Sequence, residues 1–575
     1  MRKLAYLLAT GAIVLAACGP AATATVPPTR PTGATPQSTA APTPALPGGA
    51  PTATPAPKPT ATPSVGQAAG PKYGGMFRFA TKATIPGWDG IAITGGSVHN
   101  VVGFLYDRPM RYSPGPPACE FLPRVPSAVE SWKWVNDTTF DMTVRQGMRF
   151  HNKPPLNGRE ATAEDLVFSM VRVGAKSGPS IQDVAAAVDR AEAPSKYVAR
   201  LYLKQPYTVL PERLPQDAAY LYAPEAVGDD LAITRPEEHI GTGPFVFKDE
   251  KPGVSVTLEK NPDYWMKGFP FVDKIEFKIV PDISTRAAMF RTGQVDVAWR
   301  EPIAATEALS KVPGVTVQRC SDLPATSVTL TPDRAPFNDV RVRRAVSMAI
   351  DRDAVVKVVF RGNGEKAWVA VPHIAETTYL QRDDYPPEVR KYLEYNPTEA
   401  KKLLAEAGYA QGLTVDLNYT ARYTNSAEIA EALNDQLAKV GINAKIRVWV
   451  DPAWSAERDA EQMPGIILSL TTGFPGSFQF VRAYHSVKGQ GLKKHGIRDP
   501  NLDEWSDKLV RTRDPDEQKS LQRQLQVRLV DQAYEPAVFV DKPALILNPW
   551  VKNLYFQPLS LIQAVDVFWT VQIDR

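Results

Sequence analysis

Residues 396–450 read NPTEAKKLLAEAGYAQGLTVDLNYTARYTNSAEIAEALNDQLAKVGINAKIRVWV, and this stretch alternates between two kinds of apolar pattern. Four elements follow one another in it: helix 396–407, strand 413–419, helix 426–440 and strand 444–450. A further apolar run, IILSL from Ile466, predicts another strand. Helices that alternate with strands imply parallel strand pairing, with the helices packed over the sheet. The stretch therefore predicts an α/β unit.

The chain before residue 396 is dominated by strand-like patterns bounded by glycine and proline. The predicted strands are GGMFRFAT from Gly74, TTFDMTVRQ from Thr138, YVARLYLK from Tyr197, GPFVF from Gly243, VSVTLEK from Val254 and KIEFKIV from Lys274. The predicted helices are the run that opens at the capping box Thr162-Ala-Glu-Asp165, residues 284–292, and residues 340–360 with Asn338 or Asp339 as cap. Towards the C-terminus, residues 501–512 and 515–534 predict helices, and AVFVDK and ALILN predict a pair of strands.

The first eighteen residues have the anatomy of a secretory signal. Arg2 and Lys3 supply positive charge, and the apolar run 4–15 is too short to span a bilayer permanently. Small residues then precede a cysteine in Leu15-Ala16-Ala17-Cys18, which resembles the bacterial lipoprotein box. That resemblance implies that the signal peptide is residues 1–17 and that lipid is attached to Cys18. The alternative is an ordinary signal peptide with a cysteine that is there by chance.

Residues 18–72 are expected to form a lipidated cysteine followed by a disordered linker. Their composition is Pro, Thr, Ala and Gly with almost no large apolar residue, so burial cannot offset the entropy lost on ordering. Dense proline favours extended polyproline II at about 3.1 Å per residue, which gives a reach of roughly 100–150 Å from the membrane. The folded part is therefore expected to begin near Tyr73.

Length and charge limit the classes of function. A chain of 575 residues exceeds what one hydrophobic core organises, so two or three domains are expected after the linker. The 66 Lys and Arg residues against 62 Asp and Glu give a net charge of +4, which does not favour nucleic acid as a partner. The basic group Arg341, Arg343 and Arg344 lies in a helical pattern and is interpreted as a solvated or salt-bridged face. No second apolar run is long enough to cross a membrane.

The cysteines and histidines show no metal-ligand spacing. After Cys18 the chain has only Cys119 and Cys320, and a disulfide and two separate buried thiols both remain open because the spacing carries no geometry. The six histidines include no i, i+4 pair and no HExxH motif; they are His99, His151, His239, His373, His485 and His495. The sequence therefore predicts no metal site and no cofactor.

Seven segments, taken in order, resemble one family. They are SWKWVNDTTFDMTVRQGMRFHN from Ser131, ATAEDLVFS from Ala161, GTGPFVF from Gly241, NPDYWMKGFPFVDKIEF from Asn261, RTGQVDVAW from Arg291, FNDVRVRRAVSMAIDRDAVV from Phe337 and NPTEAKKLLAEAGY from Asn396. The family is the extracytoplasmic solute-binding proteins of ATP-driven importers, of the large family 5 type related to dipeptide-, oligopeptide- and nickel-binding proteins. Most of these segments are interpreted as scaffold: the glycines of GTGPF permit positive φ and close backbone approach, and the Trp and Tyr of NPDYW pack against a sheet.

The resemblance implies an α/β fold of the two-lobed periplasmic-binding-protein type, class II, with an extra domain in the first lobe. Lobe 1 is then built from residues 73–105, 235–315 and 543–575, the extra domain from 106–234, and lobe 2 from 316–542. The implied function is capture of a peptide-like or oligosaccharide solute between the lobes and its delivery to ABC permease subunits. We expect a monomer that its lipid anchor holds to the membrane, in the periplasm or at the cell surface.

The solute is constrained by one missing aspartate. Dipeptide-type members of the family carry an aspartate, after the strand equivalent to IILSL, that pairs with the free amino group of the peptide. Here that stretch reads SLTTGFPGSFQFVRAYHS from Ser469, and the spacing puts Gly473 at this position. Burying an ammonium group without a counter-charge costs several kcal/mol, which argues against an ordinary dipeptide held by its amine unless another carboxylate reaches in.

Aromatic residues supply the other candidate contacts. Gly473, Phe474 and Phe478 offer bare backbone and aromatic faces suited to a neutral or bulky solute. The alternative is that these aromatic rings simply pack the loop. Trp88 and Trp368 are candidates to line the cleft, although most of the eleven tryptophans must belong to the core. Two polar residues are further candidates: Asp89 and His99.

Enzyme signatures are missing from the sequence. There is no GxSxG elbow, no P-loop and no zinc signature, and the carboxylates show no distinguishable catalytic pair. The sequence therefore predicts a binding protein that is not an enzyme. A secreted hydrolase acting on polysaccharide or cell-wall material is the alternative from another class, and it predicts turnover of the ligand. A surface sensor or chaperone with the same two-lobed body but no transporter is a third interpretation.

Overall fold

The computed structural model describes residues 72–575 except for 83–84, 86, 92–95, 114–118, 120–122, 176–180, 217–218, 229, 322–324, 372–377, 421–424, 451–453, 455–462, 472–475, 490–495 and 557–567. The strands of these residues are β1 (Met76–Thr81), β2 (Met110–Tyr112), β3 (Arg124–Pro126), β4 (Val129–Asn136), β5 (Thr139–Val144), β6 (Val188–Ser195), β7 (Val198–Leu203), β8 (Phe245–Lys251), β9 (Ser255–Lys260), β10 (Lys274–Ile279), β11 (Val297–Trp299), β12 (Thr316–Arg319), β13 (Ala325–Leu330), β14 (Gly364–Lys366), β15 (Leu413–Thr420), β16 (Ile442–Trp449), β17 (Ile466–Thr471), β18 (Ala537–Asp541), β19 (Ala544–Leu547), β20 (Val551–Lys552) and β21 (Gln572–Ile573).

The α-helices of the same residues are α1 (Gly96–Val102), α2 (Ala163–Ala175), α3 (Gln182–Ala187), α4 (Leu210–Arg213), α5 (Ile283–Arg291), α6 (Ile303–Leu309), α7 (Val340–Ala349), α8 (Arg352–Val359), α9 (Pro387–Arg390), α10 (Pro397–Glu406), α11 (Ser426–Ala438), α12 (Phe478–Tyr484), α13 (Pro500–Leu509) and α14 (Pro515–Asp531). Short 3-10 helices cover Pro224–Ala226, Pro236–Glu238, Arg382–Asp384 and Lys391–Leu393. Within the part of the chain that the structure describes, no helix has both the length and the apolar character needed to cross a membrane.

A six-stranded sheet organises one lobe, in the order β14-β18-β13-β17-β15-β16. β15 pairs in parallel with β16, from Leu413 opposite Ile442 to Thr420 opposite Trp449, and it also pairs in parallel with β17. The predicted α/β unit is therefore confirmed. Strands β13, β14 and β18 add antiparallel pairs on the other side of β17. Apolar side chains of α7, α8, α10 and α11 share one buried cluster with those of this sheet.

Sheets of three and four strands build the other lobe in the described residues. One has the order β1-β10-β9-β8, with β1 parallel to β10, and another has the order β11-β19-β12. The sheet β4-β5-β7-β6 is antiparallel and lies between residues 129 and 203. Apolar residues of these sheets share one large buried cluster, which includes Phe77, Phe140, Phe245 and Leu547. The fold is thus two-lobed and α/β.

The single long helix predicted at 340–360 is wrong, because two helices, α7 and α8, stand there. The backbone of Ile350 between them is extended, with φ −86° and ψ 110°, and Asp351 caps α8 by accepting the amide of Ala354 at 2.9 Å. Aspartate bonds to nearby backbone donors and so favours a cap over a helix interior. At the start of α7 the predicted cap is confirmed for Asp339, whose carboxylate accepts the amide of Arg341 at 2.8 Å.

The GTGPF motif lies where two backbone segments touch. A β-carbon at Gly241 would lie 1.9 Å from the carbonyl oxygen of Leu105, and one at Gly243 would lie 2.6 Å from that of Phe104. His151 also contacts the motif, because its amide donates to the Gly241 oxygen at 2.8 Å and its Nε2 lies 3.1 Å from the Gly243 oxygen. The predicted close backbone approach is confirmed. Neither glycine uses the positive φ that its missing side chain permits.

The aromatic residues of NPDYW contact a buried carboxylate. Asp107 is 2% exposed and accepts hydrogen bonds from Tyr264 Oη at 3.1 Å, Trp265 Nε1 at 3.1 Å and Ser127 Oγ at 3.2 Å. Burial raises the pKa of Asp107 from 3.8 to about 6, and the hydrogen bonds that it accepts oppose this rise. Tyr264 and Trp265 thus connect the motif to the segment that follows α1.

Asp107→Asn is expected to change how stability depends on pH. The folded chain holds the Asp107 proton up to about pH 6, whereas the unfolded chain releases it near the ordinary pKa of 3.8. Folding therefore binds a proton between these values, so this group makes the protein less stable as the pH rises from about 4 to about 7. Relative to the variant, the wild-type free energy of unfolding should fall by up to about 3 kcal/mol over that interval. Urea unfolding at both ends of the interval measures the difference, and a constant difference would contradict this assignment.

The two cysteines of the folded part form a disulfide, Cys119–Cys320. Cys119 lies in the connection between β2 and β3, and Cys320 directly follows β12. The amide of Cys119 also donates to the carbonyl of Phe556 at 2.9 Å, so that connection contacts the C-terminal part of the chain as well. The alternative of two separate thiols is therefore wrong.

Candidate functional site

Two adjacent connections join the lobes. β12 of the three-stranded sheet leads past Cys320 into β13 of the six-stranded sheet, and β18 of that sheet leads back to β19. Arg319 lies opposite Ala544, and Ala325 lies opposite Val540, so the two connections begin and end on neighbouring strands. Two lobes that are joined at one place can rotate about that place, which then acts as a hinge.

Charged side chains surround the hinge. Arg286 and Glu301 form a buried bidentate ion pair, with N–O distances of 2.8 and 2.7 Å. Lys82, which directly follows β1, donates from Nζ to the carbonyl of Arg300 at 2.5 Å. Burial raises the pKa of Asp541, and the positive charge of Arg300 opposes that rise. The region beside the hinge is therefore polar and carries charges of both signs.

A buried carboxylate lies where α12 meets the six-stranded sheet. Glu535 is 6% exposed and accepts hydrogen bonds from Ser327 Oγ at 2.6 Å and from Tyr484 Oη at 3.1 Å. Beside it, Thr329 Oγ1 and Ser469 Oγ lie 2.8 Å apart across β13 and β17. The carboxylate of Glu535 therefore lies close to β17, the strand that precedes the predicted ligand residues Gly473 and Phe474 in the sequence.

The lobes touch again at the start of α12. The Arg213 guanidinium carbon lies 4.3 Å from the ring centroid of Phe478, and Glu212 Oε2 accepts the amide of Ser477 at 2.9 Å. Gly476 permits this approach, because a β-carbon there would lie 2.2 Å from Glu212 Oε2. An aromatic ring, a cation and a carboxylate therefore meet where the two lobes touch.

A buried ion pair fixes the position of Arg213. Its Nε and Nη2 donate to Asp183 Oδ2 and Oδ1 at 2.8 and 3.1 Å, and 1% of its side chain is exposed. Tyr207 also donates its hydroxyl to the Asp183 carboxylate. Turning the Arg213 side chain away from Asp183 would break this pair and leave a carboxylate buried without its cation, which is costly.

Two of the predicted site residues are buried in the same large cluster. Phe478 is 5% exposed and belongs to the apolar cluster of the other lobe, together with Val481. Trp88 is 7% exposed and packs edge-on against His239 and Phe247, with ring centroids 5.8 and 6.0 Å away. No ring pair or hydrogen bond among the described residues joins Trp88 to Phe478.

The remaining predicted positions lie apart from that contact. Trp368 is half-buried, and its amide donates to Tyr379 Oη at 2.9 Å. Asp89 accepts a hydrogen bond from the buried Arg172 at 2.8 Å, and His99 is 5% exposed. Three predicted positions lie outside the described residues: Gly473, Phe474 and Cys18.

The charged residues that contact the start of α12 beside Phe478 were not predicted from the sequence. Glu212 and Arg213 end the four-residue helix α4, and Glu212 reaches a residue 265 positions further along the chain. No local pattern marks such a pair, because the contact exists only in the tertiary fold. Glu535 could not be predicted either, because a single carboxylate before an apolar strand belongs to no periodic pattern that would indicate its burial.

The ionisable groups of this region are engaged with one another rather than arranged around a metal. Among the described residues, no group of three or more His, Cys, Asp and Glu side chains is placed to hold a metal ion. These groups instead include charged side chains, hydroxyl groups and an aromatic ring on the two lobes. Such surroundings are suited to holding a small molecule.

Comparisons with known proteins agree on one family. Residues 124–491, more than half of the chain, match the family model described as bacterial extracellular solute-binding proteins, family 5 Middle. Heme-binding protein A of Haemophilus influenzae is 26% identical over 498 residues, which cover 82% of this chain and 87% of that protein. Glutathione-binding protein GsiB of Salmonella typhi is 28% identical over 311 residues, which cover 54% of this chain and 57% of that protein.

A solved structure has the same fold. The periplasmic binding protein DppA of Helicobacter pylori, in complex with the peptide STSA, superposes with a TM-score of 0.74 at 23% identity, over 88% of this chain and 99% of that one. The hydrolase alternative gains no support from these matches. With the family model covering most of both lobes, the chain belongs to the bacterial extracellular solute-binding proteins of family 5.

Proposed function

We propose that this chain is the substrate-binding lipoprotein of an ABC importer, which captures a small solute between its two lobes and delivers it chemically unchanged to the permease. The hinge carries this proposal, because two adjacent connections join lobes that touch again at α12. A solute that contacts both lobes favours the closed arrangement through its higher affinity for that state. Relatives named for the solutes that they bind support the same function.

The proposal gives each part of the chain a role. Residues 1–17 direct export, Cys18 carries lipid, and the Pro-rich linker to residue 72 spaces the body from the membrane. The proposed bounds are 73–105, 235–315 and 543–575 for lobe 1, 106–234 for its extra domain and 316–542 for lobe 2. Strand β12 (Thr316–Arg319) is the exception, because it pairs with β19 and so belongs with lobe 1. The body works as a monomer outside the cytoplasm, and partner subunits of the transporter hydrolyse ATP.

The proposed solute is a peptide-like molecule or an oligosaccharide. The peptide in Helicobacter pylori DppA and the name of the glutathione-binding relative support the peptide-like class, whereas the aromatic candidates would suit an oligosaccharide. We assign Gly473, Phe474 and Phe478 to solute contact, with Trp88 and Trp368 as further lining residues. The glycine at position 473 disfavours small peptides held by a free amino group.

Gly473→Asp is expected to create affinity for dipeptides with a free amine. The added carboxylate supplies the counter-charge that a buried ammonium group needs. The Kd for dialanine should fall by about 10- to 100-fold, measured by isothermal titration calorimetry. Gly473→Asn has a similar shape without the charge and serves as the control. Equal affinities of the two variants would contradict the assignment of position 473.

Native mass spectrometry of the purified protein tests the proposed function. The protein is expected to carry a copurified solute in a one-to-one complex and to release it on denaturation. The released solute, incubated with fresh protein, should be recovered with unchanged mass. Fragments of that solute would instead support the secreted-hydrolase alternative.

A further inference from the structure

A second contact joins the lobes beyond Phe478. Thr208, which lies before α4, donates its amide to the Val510 oxygen at 2.8 Å, and its hydroxyl lies 3.0 Å from the carbonyl oxygens of Val510 and Thr512. Val510 and Thr512 belong to the loop between α13 and α14. These bonds run from the proposed extra domain to lobe 2, so they break whenever the two separate.

Arg513 extends this contact to the turn between β4 and β5. Its Nη2 donates to the Asn136 oxygen at 3.1 Å, its Nη1 lies 3.3 Å from Asp137 Oδ1, and its guanidinium carbon lies 4.5 Å from the ring centroid of Trp134. The ion pair alone stabilises little, because 40% of the Arg513 side chain and 77% of that of Asp137 are exposed. The carbonyl, the carboxylate and the ring together hold the guanidinium from three directions. We call residues 134–137, Thr208, Val510, Thr512 and Arg513 the clasp.

We infer that the clasp sets the balance between the open and closed arrangements, and that Arg513 is the positioning residue that controls it. None of the residues of the clasp is among those assigned to the solute. The affinity for a solute depends on the fraction of protein in the binding-competent state, so a stronger clasp tightens binding without a new solute contact. This inference rests on the proposed function, because it concerns the same closing movement.

Hydrogen–deuterium exchange of the purified full-length chain without solute tests the inference directly. The Thr208 amide is bonded across the interface, so its exchange rate reports how often the clasp opens. In Arg513→Ala, this amide should exchange about five- to tenfold faster. The amides of Gly243 and Asn396, which are bonded to Leu105 and Met348 within their own lobes, should keep their rates.

Two further variants complete the test. Arg511→Ala is the matched control, because Arg511 has 41% side-chain exposure and pairs with Asp507 inside lobe 2, and it should leave the Thr208 rate unchanged. The charge exchange Asp137→Arg with Arg513→Asp restores the ion pair but not the hydrogen bond to the Asn136 carbonyl, so it should recover only a small part of the protection lost in Arg513→Ala. Unchanged Thr208 exchange in Arg513→Ala overturns the inference. Equal acceleration of the Gly243 and Asn396 amides also overturns it, because that result indicates general destabilisation. Neither result depends on which solute the protein binds.

Discussion

Gly241→Ala is expected to lower the free energy of unfolding by at least about 4 kcal/mol. The added β-carbon would lie 1.9 Å from the carbonyl oxygen of Leu105, well inside van der Waals contact. That oxygen belongs to the backbone and already accepts the amide of Gly243 at 3.0 Å, so it cannot turn aside as a flexible side chain can. Relief therefore requires the two backbone segments to separate, which also disturbs the buried His151 that bonds to Gly241 and Gly243.

Urea unfolding followed by tryptophan fluorescence measures this loss. Gly174→Ala is the matched control, because no atom lies within 4 Å of a β-carbon at that position near the end of α2. Alanine favours a helix over glycine by up to about 1 kcal/mol, so the control should be unchanged or slightly more stable. A Gly241→Ala protein that unfolds at the wild-type urea concentration would show that the close approach of the two backbones is not as described.

Arg213→Met is expected to destabilise the protein by about 3–5 kcal/mol. The change keeps much of the side-chain volume but removes the cation that donates two hydrogen bonds to Asp183. The carboxylate of Asp183, whose side chain is 14% exposed, would then lack its buried ion-pair partner. The ring of Phe478 would also lose the guanidinium that lies 4.3 Å from its centroid.

The double variant Arg213→Met with Asp183→Asn separates the charge effect from packing. Removing both charges leaves no uncompensated ion, so it should recover at least about half of the loss measured for Arg213→Met alone. Thermal and urea unfolding of the single and double variants provide the comparison. Additive losses in the double variant would mean that the two side chains do not act as a pair.

The α/β lobe could be predicted from local pattern, because its elements are long and strongly periodic. The helix expected at 426–440 is observed as Ser426–Ala438, and the strand expected at 413–419 is observed as Leu413–Thr420. The single helix expected at 340–360 was wrong. Apolar periodicity indicates which residues are buried, and burial continues along this stretch. It does not show that the backbone turns there and that Asp351 caps a new helix.

The candidate site could be predicted only in part. Phe478 was selected because it follows a strand in a segment that resembles the family, whereas Arg213 and Glu212 reach it only through the tertiary fold. The disulfide between Cys119 and Cys320 was left open for the same physical reason, since residues 201 positions apart have no fixed geometry before the chain folds.

Small-angle X-ray scattering, with and without solute, measures whether the two lobes close over a small molecule. The experiment uses the full-length chain freed of its copurified solute, followed by re-addition at saturation of the solute that native mass spectrometry identifies. We expect a smaller radius of gyration in the bound protein, because a solute that contacts both lobes favours the closed arrangement. Superimposable scattering curves for the free and saturated protein would contradict closure as the mechanism of capture.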